Sequence, residues 1–136
     1  GPPVVARAEA AVEMKNASDG ARAPGVVRLA FGVGDFRRDT GVSADPLALA
    51  FARSSLVVAS RVGELPGPID GPTLGASEEG LAEACAVTQS MGMTGKLCLD
   101  PPQTDGINRH LAPVSYTHLR AHETRHDLVC RLLLEK

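Results

Sequence analysis

The sequence predicts an α/β fold with parallel strands, and three observations carry that expectation. Short apolar runs alternate along the chain with longer segments of helix-forming composition. Helix boundary signals punctuate them: Asp45 precedes Pro46, Ser77 precedes Glu78 and Glu79, and Gly63 and Gly92 stand at the far ends. Carboxylates close the apolar runs, with Asp35 after RLAFGVG, Asp70 in PID, Asp100 in KLCLD, and Glu9 if VVARAE is itself a strand. Strands separated by helices pair in parallel through right-handed crossovers. In parallel α/β barrels the C-terminal strand ends converge on the mouth that carries the chemistry, so acidic strand ends point there.

Taken in order, PPVVARAEA reads as a short extended segment, and AAVEMKNASDGARA reads as a helix broken at Ala23-Pro24-Gly25. GVVRLAFG is β-branched at its start and too short for a helix, so it reads as a strand. Asp45 and Pro46 open the segment PLALAFARSSLVVASRVG, in which Leu49, Arg53, Leu56 and Ser60 keep helical spacing. This helix is apolar on several sides and is expected to be largely buried. PIDG follows as a brief strand ending at Asp70. Ser77 caps the next helix, whose stripe of Leu81, Ala84, Cys85, Thr88 and Met91 is expected to face the core. GKLCLD is a last apolar strand stopped by Pro101 and Pro102, and TDGINRHLAP is a short helix.

With 136 residues, 43% hydrophobic and 22% charged, the chain has the composition of one globular domain. A formal net charge of -2 leaves no basic footprint for nucleic acid or an anionic membrane, so the expected partner is a small molecule. The three cysteines are widely spaced with no Cys-x-x-Cys pair, which points to reduced thiols and a cytoplasmic location. No apolar stretch has the length of a membrane span. Because it opens at Gly1 rather than Met, the chain is expected to be a piece of a longer protein.

Three stretches, VVRLAFGVGDFRRDTGVS, ALAFARSSLVVASRVGELPGPIDG and MGMTGKLCLDPPQ, together resemble the citrate lyase beta-subunit and malyl-CoA lyase family, within the metal-dependent HpcH/HpaI-type aldolases. The resemblance spans about residues 3 to 113. Its specific elements are an F-G-x-x-D-[LF]-x-x-D-x-G stretch, here Phe31, Gly32, Asp35, Phe36, Asp39 and Gly41, and P-I-D-G at 68 to 71. It implies the C-terminal half, the last four βα units, of a TIM (β/α)8 barrel. The family's first half, with its acidic second-strand motif and a carboxylate-binding arginine, has no counterpart here.

The resemblance further implies a Mg²⁺ site. In the family a glutamate ending the fifth strand and the first aspartate of the F-G-x-x-D motif hold the ion; Asp35 matches the second, and Glu9, preferred over Glu13, matches the first. Two hard carboxylate oxygens suit Mg²⁺ and leave coordination positions open. The implied reaction cleaves a 3-hydroxyacyl-CoA of the citryl-CoA or malyl-CoA type into acetyl-CoA and a 2-oxo acid. The proton-transfer group is not assigned by the resemblance; Asp70 is the rim candidate, although an aspartate before Gly71 also suits a turn. An aldolase releasing pyruvate from 2-oxo-3-deoxy acids would carry the same metal pair, and a non-catalytic half-barrel binding module is a third reading. The intact protein is expected to be a homo-oligomer. Where the family has Ile-His-Pro after its last Gly-Lys, this chain has Leu99, Asp100 and Pro101, so that histidine's role does not transfer, and Lys96 is expected to be structural or interfacial.

His118, His122 and His126 stand four apart and would line one face of a helix, a spacing compatible with zinc. After NRHLAP, however, VSYTHLRAHE at 114 to 123 and LVCRLLLEK at 128 to 136 resemble the translation of a transposase-type sequencing adapter. Residues 1–113 are thus expected to form the partial barrel and 114–136 a non-native tail, in which neither the histidines nor Cys130 form a site.

Overall fold

The computed structural model describes residues 1–112. The three tail histidines, Cys130 and the adapter-like segment lie outside the described residues. The described elements are β1 (Val4–Ala8), α1 (Ala11–Lys15), α2 (Ala17–Ala21), β2 (Val26–Phe31), α3 (Val33–Thr40), α4 (Pro46–Val62), β3 (Ile69–Asp70), α5 (Glu78–Ser90), β4 (Gly95–Lys96), a 3-10 turn (Pro101–Gln103) and α6 (Thr104–Leu111). One four-stranded sheet has the order β1-β2-β3-β4, and every neighbouring pair is parallel. Consecutive parallel strands lying side by side are the winding of a barrel rather than of a doubly wound sheet, whose strand order reverses.

Strand alternation separates two faces. Ala8, Leu29 and Phe31 join Met14, Ala17, Leu49, Ala52 and Leu56 in a core between sheet and helices. Ala30 and Ile69 point the other way and pack with Val5 and Leu97. In a closed barrel that second face is the interior. A satellite cluster of Leu81, Cys85, Cys98, Ile107 and Leu111 seats α5 and α6.

The helix boundaries follow the capping chemistry. Asp45 accepts a hydrogen bond from the Leu47 amide at 2.9 Å, Pro46 opens α4, and Gly63 follows its last residue. Ser77 accepts from the Gly80 amide at 3.1 Å and starts α5, with Glu78 and Glu79 in the first turn. Among the helices the structure departs from expectation in three places. The first helix is two short helices that break at Asn16, where φ is -100° and ψ 19°. An additional helix, α3, follows β2 and closes at Gly41, whose φ of 81° is left-handed. Finally, α4 buries only Leu49, Ala52, Leu56, Ala59 and Ser60, while Leu47, Phe51, Val58 and Val62 are exposed. Among the described residues no helix is long and apolar enough to cross a membrane.

Candidate functional site

The site is built on the C-terminal ends of β1 and β2. The Gly32 amide donates to the Ala8 carbonyl at 2.8 Å, which holds the two strand ends together and brings Glu9 alongside Gly32. A Cβ placed on Gly32 would sit 2.5 Å from Glu9 Cγ and 3.3 Å from Glu9 Cδ. Glycine therefore leaves the room in which the Glu9 side chain crosses the backbone. The Glu9 carboxylate pairs with Arg7, two residues back along the same strand. Glu13, the alternative, is exposed, and its carboxylate accepts from the Glu9 amide at 2.6 Å.

Asp35 lies in the first turn of α3, three residues beyond Gly32, and pairs with Arg38 one turn on. Its neighbour Phe36 anchors that turn by an edge-to-face contact with Phe31, the rings 5.5 Å apart at 66°. Asp39, the motif's second aspartate, accepts from the Ala11 amide at 2.8 Å and so ties α3 to the start of α1. Glu9 thus follows the end of β1 and Asp35 lies in the first helical turn after β2, their side chains 29% and 50% exposed. Among the described residues no cluster of three or more His, Cys, Asp or Glu side chains has metal-holding geometry. The remaining positions on a bound ion would fall to water and substrate oxygens.

Asp70 has a different environment. It is fully buried and its carboxylate is engaged on both oxygens: Arg53 Nε donates from 3.1 Å and the Gly71 amide from 2.8 Å to Oδ1, and the Thr88 hydroxyl from 2.6 Å to Oδ2. The Arg53 guanidinium also lies 5.8 Å from the Phe31 ring centre, linking this cluster to the strand that carries the metal-type motif. Lys96, the register partner of Asp70, is buried and donates to the Gly71 carbonyl at 2.8 Å. Burial pushes the Lys96 ammonium below lysine's usual range, with the nearby Asp70 carboxylate partly opposing. The Cys85 thiol beside it is pushed up by burial, with Lys96 opposing. Sequence reasoning placed Arg53 and Thr88 on buried stripes but did not join them to Asp70; a charged residue on an otherwise apolar stripe was the available signal.

Asp100, expected to close a strand over GKLCLD, is not at a strand end: β4 covers only Gly95–Lys96, and Asp100 stands before the 3-10 turn, where its backbone carbonyl accepts from Cys98 Sγ at 3.0 Å. An open cavity of about 390 Å³ runs along β1, lined by Ala8, Val12, Ala17, Leu29 and Leu56 and also by Arg7 and Glu13, which contact Glu9. The apolar ones belong to, or border, the face packed by helices, so this wall lies on the opposite side of the sheet from Ala30 and Ile69.

Neither a scan against protein-family models nor a search of curated proteins finds a match. Solved structures do match. RipC from Yersinia pestis is 25% identical with a TM-score of 0.78, over 83% of this chain and 53% of that one. The citrate lyase beta subunit from Mycobacterium tuberculosis is 23% identical with a TM-score of 0.71, over 82% of this chain and 53% of its own. CitE from the same organism, in complex with magnesium, acetoacetate and coenzyme A, is 22% identical with a TM-score of 0.71, over 82% and 44%. The chain therefore spans about half the length of the structures it matches. The fold class expected from the sequence is the one observed, an α/β fold with a parallel sheet that matches part of these structures, and the citrate lyase beta subunits among them belong to the group the sequence motifs resemble.

Proposed function

We propose that this chain supplies the metal-holding half of a Mg²⁺-dependent carbon-carbon lyase that cleaves a 3-hydroxyacyl-CoA of the citryl-CoA or malyl-CoA type into acetyl-CoA and a 2-oxo acid. The observation that carries the reading is the Glu9 side chain laid across Gly32, with Asp35 in the helical turn that follows. A glycine at that point leaves room for the carboxylate where any Cβ would displace it. The solved neighbours crystallised with magnesium, with oxaloacetate, and with acetoacetate and coenzyme A support the same chemistry.

Glu9 and Asp35 fit Mg²⁺ by donor type, being two hard anionic oxygen ligands at a partly exposed rim. When bound, the cation would polarise, as a Lewis acid, the substrate's hydroxyl oxygen, which becomes the carbonyl oxygen of the 2-oxo acid. The chain's own residues do the rest of the positioning. Phe36 on Phe31 fixes the turn that presents Asp35, and Asp39 fixes α3 against α1. Arg7 and Arg38 balance the two carboxylates and place positive charge beside a site meant for anionic substrates. Asp70 serves as the buried anchor of β3 rather than as the proton-transfer group, because both its oxygens are taken and none of it reaches solvent.

The test joins residues 1–113 to the N-terminal half of a citrate lyase beta subunit. Formation of 2-oxo acid from citryl-CoA or malyl-CoA is followed as the phenylhydrazone. Mg²⁺-dependent turnover that falls at least a hundredfold in Asp35→Asn is the expected result. Turnover that survives unchanged in that variant, or that needs no divalent cation, contradicts the proposal.

A further inference from the structure

The glycine that ends PIDG touches the turn that presents Asp35. Gly71 is buried directly after β3, and a Cβ built on it would lie 2.5 Å from Val33 Cγ1 and 3.1 Å from the Phe31 carbonyl oxygen. Val33 is the first residue of α3, and Asp35 follows in the same turn. The bare α-carbon of Gly71 is thus the seat on which the start of that helix rests. Gly71 does not adopt a left-handed backbone, so the glycine supplies space here rather than conformational freedom.

The seat is itself held by buried side chains. The Gly71 amide donates to Asp70 Oδ1 at 2.8 Å, and its carbonyl accepts from the Lys96 ammonium, also at 2.8 Å. Asp70 is fixed in turn by Arg53 and Thr88. Because β3 ends at Asp70, charged groups take over beyond the strand the role that sheet bonds play within it. Buried charges add little net stability over apolar replacements, and what these ones fix is the position of one backbone unit.

We propose that Gly71 and Lys96 are positioning residues for the cation site: Lys96 latches the Gly71 carbonyl, Gly71 seats Val33, and the seat sets where Asp35 stands relative to Glu9. The inference rests on the reading of Glu9 and Asp35 as the cation ligands. Both carboxylates are then placed by one device on neighbouring units, Glu9 crossing Gly32 and Val33 resting on Gly71. The consequence is the choice of ion. Mg²⁺ demands a near-ideal octahedron with oxygens at about 2.0–2.1 Å, whereas Ca²⁺ accepts irregular sets at about 2.3–2.6 Å. With alanine at position 71, Val33 Cγ1 must retreat by about 1 Å to reach ordinary contact, and the Asp35 turn moves with it.

The experiment titrates the full chain with Mn²⁺, read by electron paramagnetic resonance, and measures Mg²⁺ and Ca²⁺ by displacement. Urea unfolding identifies the variants that are folded under those conditions. Gly71→Ala should weaken Mn²⁺ and Mg²⁺ binding by about tenfold or more, and Ca²⁺ binding by less than about threefold. In a Val33→Ala background, where the obstructing methyl is gone, the same substitution should cost less than about threefold for every ion. Lys96→Met frees the Gly71 carbonyl without adding bulk, and it serves as the second variant if Gly71→Ala does not fold; it should lower the preference for Mg²⁺ over Ca²⁺ by about threefold or more. Unchanged affinities in folded Gly71→Ala, an equal loss for Mg²⁺ and Ca²⁺ that Val33→Ala does not relieve, or an unchanged preference in Lys96→Met would overturn the positioning role and leave the Glu9–Asp35 site standing. A parent chain that binds none of these ions, or Asp35→Asn binding them as well as the parent, would overturn the site and this inference with it.

Discussion

Replacing Asp70 by Asn tests whether that carboxylate is an anchor or a reacting group. The substitution keeps the shape and one acceptor oxygen but removes the negative charge that faces Arg53 and Lys96 in the interior. Removing one partner of a buried ion pair strands the other, a loss of about 3–5 kcal/mol. Here the Arg53 side chain keeps 11% exposure and the Asn oxygen still accepts a bond from the Gly71 amide, so the lower end applies, about 3 kcal/mol. The amide NH2 would in addition face the Thr88 hydroxyl, which now donates to Oδ2 from 2.6 Å. Against a typical domain stability of about 5–15 kcal/mol, such a loss is large. Urea unfolding followed by far-ultraviolet circular dichroism measures it: the midpoint should fall with the slope unchanged. A change below about 1 kcal/mol, or a gain in stability as often follows removal of an active-site charge, would refute the anchoring role.

Gly32→Ala should leave stability within about 1 kcal/mol, because the clashing atoms belong to a movable side chain, yet weaken Mg²⁺ binding some 10- to 100-fold by displacing Glu9. Isothermal titration against the parent chain checks the affinity, and urea unfolding checks the stability. Arg7→Ala should tighten Mg²⁺ binding up to about fivefold, since the exposed Arg7–Glu9 pair must yield to the ion; the same titration reads it. Lys96 supplies a pH signature. Its folded value lies below the ordinary 10.5, so between the two the unfolded chain binds more protons, and stability rises with pH through that window. Cys85, raised by burial, acts in the opposite sense at alkaline pH, so the slope is best measured in a Cys85→Ala background, where Lys96→Met should flatten it.

The parts of the fold legible in the sequence are those governed by local chemistry. Asp45-Pro46 and Gly63 bracket α4, and Ser77 marks the start of α5, because caps satisfy backbone groups a few residues away. The run VGDFRRDT carries no such signal: only Phe36 of α3 is buried, and Gly32 at its start makes no side-chain cap. That helix is held by Phe36 on Phe31 and by Asp39 on Ala11, contacts that no local pattern encodes. Glu9 and Asp35 were readable as carboxylates at strand ends whose order and spacing match a motif. The part played by Gly32 emerges only when β1 and β2 lie side by side. Likewise, the partners of Asp70 come from α4 and α5, so its burial is a tertiary fact. The outer face of α4 was expected to be buried because apolarity alone does not reveal which side another element covers.

The central claim is that Glu9 and Asp35 form one divalent cation site. Mn²⁺ serves as a spectroscopic substitute for Mg²⁺, its free concentration read by electron paramagnetic resonance during titration of the full chain. A single ion, displaced by Mg²⁺, is expected, with affinity reduced at least tenfold in Glu9→Gln and again in Asp35→Asn. Binding of equal strength in both variants, or no ion bound at millimolar concentration, would contradict it.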